Sequence, residues 1–234
     1  MIPYRDNIPC EHPAIVTWVL IFINTSIFLY CLFLPEKSLR EIFYLYGLVP
    51  IRYTQPMWAE LVGFPPSDYW PFLTSMFLHA GGIHLVLNMW LLWIFGDNVE
   101  DRMGPFRFII FYLLCGLAAG IIHLMTNSDS SIATVGASGA IAGILGAYYV
   151  LFPFARIVVW IPILFLPIFI HVPAIAFLGF WVIIQIGLVL TPDLTQAIPD
   201  VAVWGHLGGF VSGLILYRFL LRPGDKRENS LEPW

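Results

Sequence analysis

Ser138 sits in Thr134-Val135-Gly136-Ala137-Ser138-Gly139-Ala140-Ile141-Ala142-Gly143, where a polar stretch passes into an apolar one. A serine hydroxyl is a poor nucleophile until a base takes its proton, so chemistry at Ser138 needs a base within reach. Gly136 and Gly139 let another side chain approach closely, and a helix start at Ser138 offers unpaired N–H groups where negative charge would develop. The base that fits is His206, in Gly205-His206-Leu207-Gly208-Gly209 with Gly213 beyond. It would take the serine proton and then return it to a leaving amine. His84 and Asn88, four residues apart and therefore on one helix face, are candidate oxyanion donors together with the Ser138 N–H. The nearest acids on that side, Asp129, Asp193 and Asp200, fall in predicted loops, so the expected arrangement is a Ser–His dyad without an acidic third member. Each feature alone has a plainer account. GxSG occurs in turns and in small-residue helix packing, and a His/Asn pair can simply bond neighbouring helices.

The elements that must hold these residues are apolar. The 234 residues are 59% hydrophobic and 11% charged, against about 25% charged in soluble domains. That composition predicts an integral membrane protein, with nine Trp and ten Tyr suited to interfacial belts. A net charge of −4 gives no reason to expect nucleic acid. Runs long enough for the ~30 Å hydrocarbon layer occur near 14–34, 83–99, 105–126, 137–152, 170–190 and 202–221. The expected fold is all-α, a compact bundle of six transmembrane helices. Between Ile157 and Pro173 the sequence stays apolar but is broken by Pro162, Pro167 and Pro173. It reads equally as the lower part of the fifth helix or as a piece in the interface.

The domain plan is a short tail over 1–13, a membrane domain over 14–222 and a polar tail over 223–234, expected to be disordered. The first loop, 35–78, is long, carries an amphipathic piece over 38–46, and is expected to lie half-sunk in the interface. With both termini inside, eight of the eleven Lys and Arg fall on inner segments, which predicts cytoplasmic termini. Spans two, four and six then begin at the outer surface, and His84, Asn88, Ser138 and His206 share a depth there. Gly139, Gly143 and Gly146 match Gly205, Gly209 and Gly213, so spans four and six are expected to pack closely. His12, His123 and His171 read as structural, and Cys10, Cys31 and Cys115 as packing residues without metal or disulfide spacing. No HExxH helix is present, and no metal site is expected.

Taken together these pieces resemble the rhomboid family of intramembrane serine proteases. The resemblance is carried by His84-Leu85-Val86-Leu87-Asn88, Gly136-Ala137-Ser138-Gly139, Gly205-His206-Leu207-Gly208-Gly209 with Gly213, and Gly96-Asp97-Asn98-Val99-Glu100-Asp101-Arg102-Met103-Gly104. It implies a six-helix bundle in the cell membrane, a serine at the top of a short fourth helix in a wet cavity open to the outside, and cleavage of membrane-spanning protein substrates without a cofactor. It also implies that Glu100, Arg102 and Gly104 tie an inner loop together. Some members stack an aromatic residue, four after the serine, on the histidine; that position is Ala142 here, which leaves open how His206 is oriented. Two other classes compete. A non-catalytic rhomboid-like protein that binds membrane helices has no need of Ser138, His206 and their partners. A transporter would be expected to show repeated halves and a charged pathway.

Overall fold

A computed structural model describes residues 2–65, 67–163, 166–191 and 202–223. Its centre is a helix with no polar face. α8 (Ser138–Leu151) has every residue from Ala140 to Tyr148 buried, as expected for a helix that is apolar all round and surrounded by others. Around it stand α1 (Ile15–Leu32), α6 (Gly82–Met103), α7 (Pro105–Thr126), α9 (Ala174–Leu190) and α10 (Val203–Leu220). Each of these six helices overlaps one of the expected apolar runs. By length and apolarity alone α1 and α7 could cross a membrane, and Pro71–Phe77 with Gly82–Met103, bent by 92°, would make a third. α8 and α9 are shorter apolar helices. The end of the bundle where α6, α8 and α10 begin is called upper below.

The long loop after α1 is built from short helices: α2 (Glu36–Tyr46), α3 (Ile51–Thr54), α4 (Pro56–Leu61), α5 (Pro71–Thr74) and a 3-10 turn over Ser75–Phe77. Arg52 pins it. Its guanidinium bonds Asp68 at 2.7 Å and lies 4.8 Å from the Phe64 ring centroid. Leu48 exchanges backbone hydrogen bonds with Thr134, which ties this loop to the approach to α8.

The lower end is held by residues that the resemblance singled out. The Glu100 carboxylate accepts hydrogen bonds from the N–H groups of Val16 and Thr17 and from Thr17 Oγ1, all at 2.8 Å. It thus satisfies the first turn of α1 from a neighbouring helix. The carbonyl of Arg102 accepts from Arg222 N–H at 3.0 Å, and its guanidinium lies 5.4 Å from the Phe152 ring centroid. Gly104 has φ +78°, and a Cβ there would also meet the Arg222 side chain.

Two expectations need correcting. The fold is mostly helical but not all-α. The segment after α8 is not the lower part of the fifth helix: β2 (Arg156–Ile163) and β3 (Leu166–Pro173) form an antiparallel hairpin, with register from Arg156↔Pro173 to Ile163↔Leu166. The fifth helix therefore starts at Ala174 rather than near 170. Prolines that deny backbone donors to a helix are tolerated near a hairpin turn. β1 (Ile2–Arg5) pairs with β2, giving strand order β1-β2-β3. Beyond it, Asp6 accepts from Tyr148 and, at 2.8 Å, from Asn98, while His12 bonds Asp101 at 2.6 Å. Burial pushes the Asp6 carboxyl up to about 6, although the Tyr148 hydroxyl opposes the shift. Cys31 and Cys115 are buried, but Cys10 is exposed. The carboxyl tail beyond 223 and most of the loop from Thr191 to Ala202 lie outside the described residues.

Candidate active site

Ser138 is the first residue of α8, reached through a loop whose course is fixed on both sides. Gly136 donates its N–H to the Ser75 carbonyl at 2.9 Å and has φ +135°, a conformation open to glycine. A Cβ there would lie 2.8 Å from His84 Cε1, so the His84 ring packs directly on this glycine. Thr134 Oγ1 lies 2.8 Å from His123 Nε2, which gives buried His123 a structural role.

The glycines of α8 and α10 do what their spacing suggested. A Cβ added at Gly209 would fall within the carbonyl of Gly139, and one at Gly213 within that of Gly143. The two backbones are therefore in direct contact, and the first turn of α10 is brought beside the first residue of α8. The consequence is a hydrogen bond of 2.8 Å between His206 Nε2 and Ser138 Oγ.

The other ring nitrogen meets a group that sequence reasoning did not name. His206 Nδ1 lies 3.1 Å from Gln185 Oε1, on α9. An amide oxygen only accepts, so with the amide assigned this way Nδ1 carries the proton and Nε2 keeps its lone pair toward the serine hydroxyl. Trp181, one turn earlier on the same helix, has its ring centroid 6.1 Å from that of His206, tilted by 38°. An aromatic ring thus neighbours His206 from α9, tilted rather than stacked, while position 142 carries none. Gln185 is the only polar residue in the seventeen of that helix and is buried. That isolation was the available signal, since a buried amide in apolar surroundings needs a partner.

Ser138, His206, His84 and Asn88 all line one cavity of about 500 Å³, walled otherwise by apolar side chains that include Leu87 and Leu91 of α6 and Trp181 of α9. Asn88 is buried and gives one amide N–H to the His84 carbonyl at 2.9 Å, leaving its second N–H for another acceptor. His79 packs edge-on to His84, at 5.2 Å between centroids. Burial, and then the neighbouring His84, push its pKa down to about 4. Glu100, Arg102 and Gly104 are not part of this cavity; they belong to the lower end. The arrangement can do one kind of chemistry directly: transfer of the Ser138 proton to His206 as the serine oxygen bonds an electrophile.

Comparisons with known proteins agree with the family resemblance. A family model described as "Rhomboid domain" matches residues 66–223. "RHOMBOID-like protein 7" of Arabidopsis thaliana is 31% identical over 174 residues, 74% of this chain and 49% of that protein. "RHOMBOID-like protein 6, mitochondrial" of the same plant is 39% identical over 90 residues, 38% of this chain and 28% of the relative. "Putative rhomboid protease YdcA" of Bacillus subtilis (strain 168) is 29% identical over 116 residues, 47% of this chain and 57% of the relative. The chain thus spans between 28% and 57% of the length of these three relatives. With a matching domain that covers Ser138, His206 and the helices that bring them together, the chain belongs to the rhomboid family.

Proposed function

We propose that this chain is an intramembrane serine endopeptidase in which Ser138 is the nucleophile and His206 the general base. The observation that carries the reading is the 2.8 Å contact between His206 Nε2 and Ser138 Oγ, with Gln185 on the opposite ring nitrogen. Ser138 Oγ attacks the scissile carbonyl while its proton moves to His206 Nε2; the protonated ring then gives that proton to the departing amine. Water, deprotonated by the same ring, releases the acyl group from Ser138. The oxyanion is met by the Ser138 N–H, the remaining Asn88 N–H and His84, each such donor being worth roughly 3 kcal/mol where measured in soluble serine proteases. Everything this scheme requires is supplied by side chains and backbone, so no cofactor is invoked.

The six apolar helices are read as six membrane spans, with the short α8 reaching only part way. The bias of Lys and Arg supports a reading with both termini in the cytoplasm and the upper end, with Ser138, toward the outside of the cell membrane. Substrates are membrane-spanning proteins whose helix is cut within or near the bilayer. The test uses purified protein in detergent with a tagged transmembrane substrate, comparing wild type, Ser138→Ala and His206→Ala. Cleavage by wild type alone supports the assignment, and equal cleavage by Ser138→Ala refutes it. A fluorophosphonate probe, which needs only the activated serine, labels wild type; if it labels neither Ser138 nor any other residue, the non-catalytic reading of the family resemblance takes its place.

A further inference from the structure

The three-stranded sheet takes no part in the chemistry above, yet its hydrogen bonds fix where it stands. At its foot, Asp6 bonds Asn98 at 2.8 Å and Asn7 accepts from Arg156 N–H at 2.6 Å. Higher on the same strand the Pro3 carbonyl accepts from Trp90 Nε1 at 2.6 Å. Trp90 lies two turns above Asn98 on α6, about 12 Å at 1.5 Å per residue, and three strand residues cover about 10 Å. β1 therefore climbs the side of α6 instead of lying across its end. β2 pairs with it through Ile2↔Trp160, and α9 packs against β2 and β3. At Pro3 the sheet stands level with Trp90, the residue before the cavity-lining Leu91 of α6, and its far end leads into α9, which contributes Trp181 to that cavity.

Its two faces differ. Ile157 and Val159 are fully buried, with Ile170 and Val172 packed on the same core. The alternate positions, paired as Arg156↔Pro173, Val158↔His171 and Trp160↔Phe169, form the outer face, where Val158 is itself buried and His171 is exposed. Trp160 is 37% and Phe169 48% exposed, and Tyr4, 47% exposed, meets Phe169 edge-on at 5.8 Å. Arg5 and Arg156 are exposed at the foot of this face, and none of its residues is acidic. From foot to middle the exposed side chains run from Arg5 and Arg156 past His171 to the aromatic rings, a polar-to-apolar order like that of a headgroup layer followed by acyl chains.

We propose that this outer face docks an anionic phospholipid of the cytoplasmic leaflet, its phosphate at Arg5 and Arg156 and its acyl chains along Tyr4, Trp160 and Phe169. The proposal rests on the membrane orientation given above. The sheet is then a lipid-facing wall beside α6, where Trp90 Nε1 takes up the Pro3 carbonyl at the outer edge of its first strand.

The test uses the full chain carrying Cys10→Ser, since Cys31 and Cys115 are buried. A nitroxide is placed at Phe169→Cys or Trp160→Cys in vesicles of phosphatidylcholine and phosphatidylglycerol, and its collisions with oxygen and with a nickel chelate are compared. Phe22→Cys on α1, where Phe22 is 72% exposed, serves as the lipid reference. Glu41→Cys on α2, also exposed, serves as the water reference. The label at 169 is expected to favour oxygen as the label at 22 does. If it matches 41 while 22 stays in lipid, the proposal is overturned; if 22 also matches 41, the membrane reading has failed instead. For the charged end, native mass spectrometry follows phosphatidylglycerol retention, expected to fall roughly thirtyfold in the Arg5→Gln/Arg156→Gln double variant. Equal retention, or displacement by inorganic phosphate, overturns the assignment of that end to lipid.

Discussion

Gln185 gives the sharpest test of how His206 is held. Gln185→Leu keeps the bulk of the side chain and removes its acceptor, leaving His206 Nδ1–H without the 3.1 Å partner. A hydrogen bond contributes a net ~1 kcal/mol, and a buried donor left unsatisfied costs a further ~1–3 kcal/mol. In the proposed reaction this cost appears where the ring must keep Nε2 toward Ser138, so about 2–3 kcal/mol falls on the barrier. At ~1.4 kcal/mol per decade, kcat/KM should fall about thirty- to a hundredfold. Gln185 is not among the residues lining the cavity, so KM should change little and the loss should appear in kcat. Gln185→Glu retains an acceptor oxygen at the same reach and should recover much of the loss. Steady-state cleavage and the rate of fluorophosphonate labelling read the same step independently. If Gln185→Leu stays within twofold of wild type in both, His206 is oriented by something else and the argument fails.

Three further outcomes follow from packing and charge. Gly209→Ala drives a methyl group into the Gly139 carbonyl and should lower stability by about 1–3 kcal/mol. Gly187→Ala, with open space around it on α9, should be neutral or raise stability by up to ~1 kcal/mol; thermal unfolding in detergent that ranks the two the other way would refute the close α8–α10 contact. Glu100→Ala strands the Val16 and Thr17 donors and should cost about 2–4 kcal/mol, with faster amide exchange at those two residues in particular. Asp6 has its pKa raised to about 6 from 3.8, so between those values the folded chain holds more protons than the unfolded one. Its contribution therefore weakens as pH rises from about 4 to about 6 and is flat above. Asp6→Asn should abolish that slope and gain on the order of 1–2 kcal/mol at pH 7, a figure below the full shift because Asp6 is partly exposed. A Tm profile that retains the slope in the variant would point to another group.

The residues of the site were legible in the sequence because polar groups are scarce there and helical geometry is rigid. Ser138, His206, His84 and Asn88 stand out in apolar runs, and the shared glycine spacing of α8 and α10 predicted that two of those runs touch. Gln185 stood out equally in its own helix. What the spacing of α9 does not encode is its rotation against α10, and that rotation decides whether the amide faces His206 or a lipid. The chemistry of a side chain can be read from its type, but its partner across two helices depends on packing angles that no local pattern fixes.

The sheet was illegible for a different reason. A strand announces itself by alternation when polar residues mark one face, and here few do. Ile157 and Val159 pack on the core, while Trp160 and Phe169 face outward with large apolar rings, so the period of two vanishes into a continuous apolar run. Its third strand is also more than 150 residues away along the chain, at the extreme amino terminus, where Ile2 to Arg5 carries no pattern of its own. The same absence of alternation that hid the hairpin argues for where it lies. A sheet with this face against water would gain from polar residues at 160 and 169, and Trp160 and Phe169 stand there instead. An apolar outer face beside a basic foot is stable where the surroundings are themselves layered in that order, which is the property the nitroxide measurement reads.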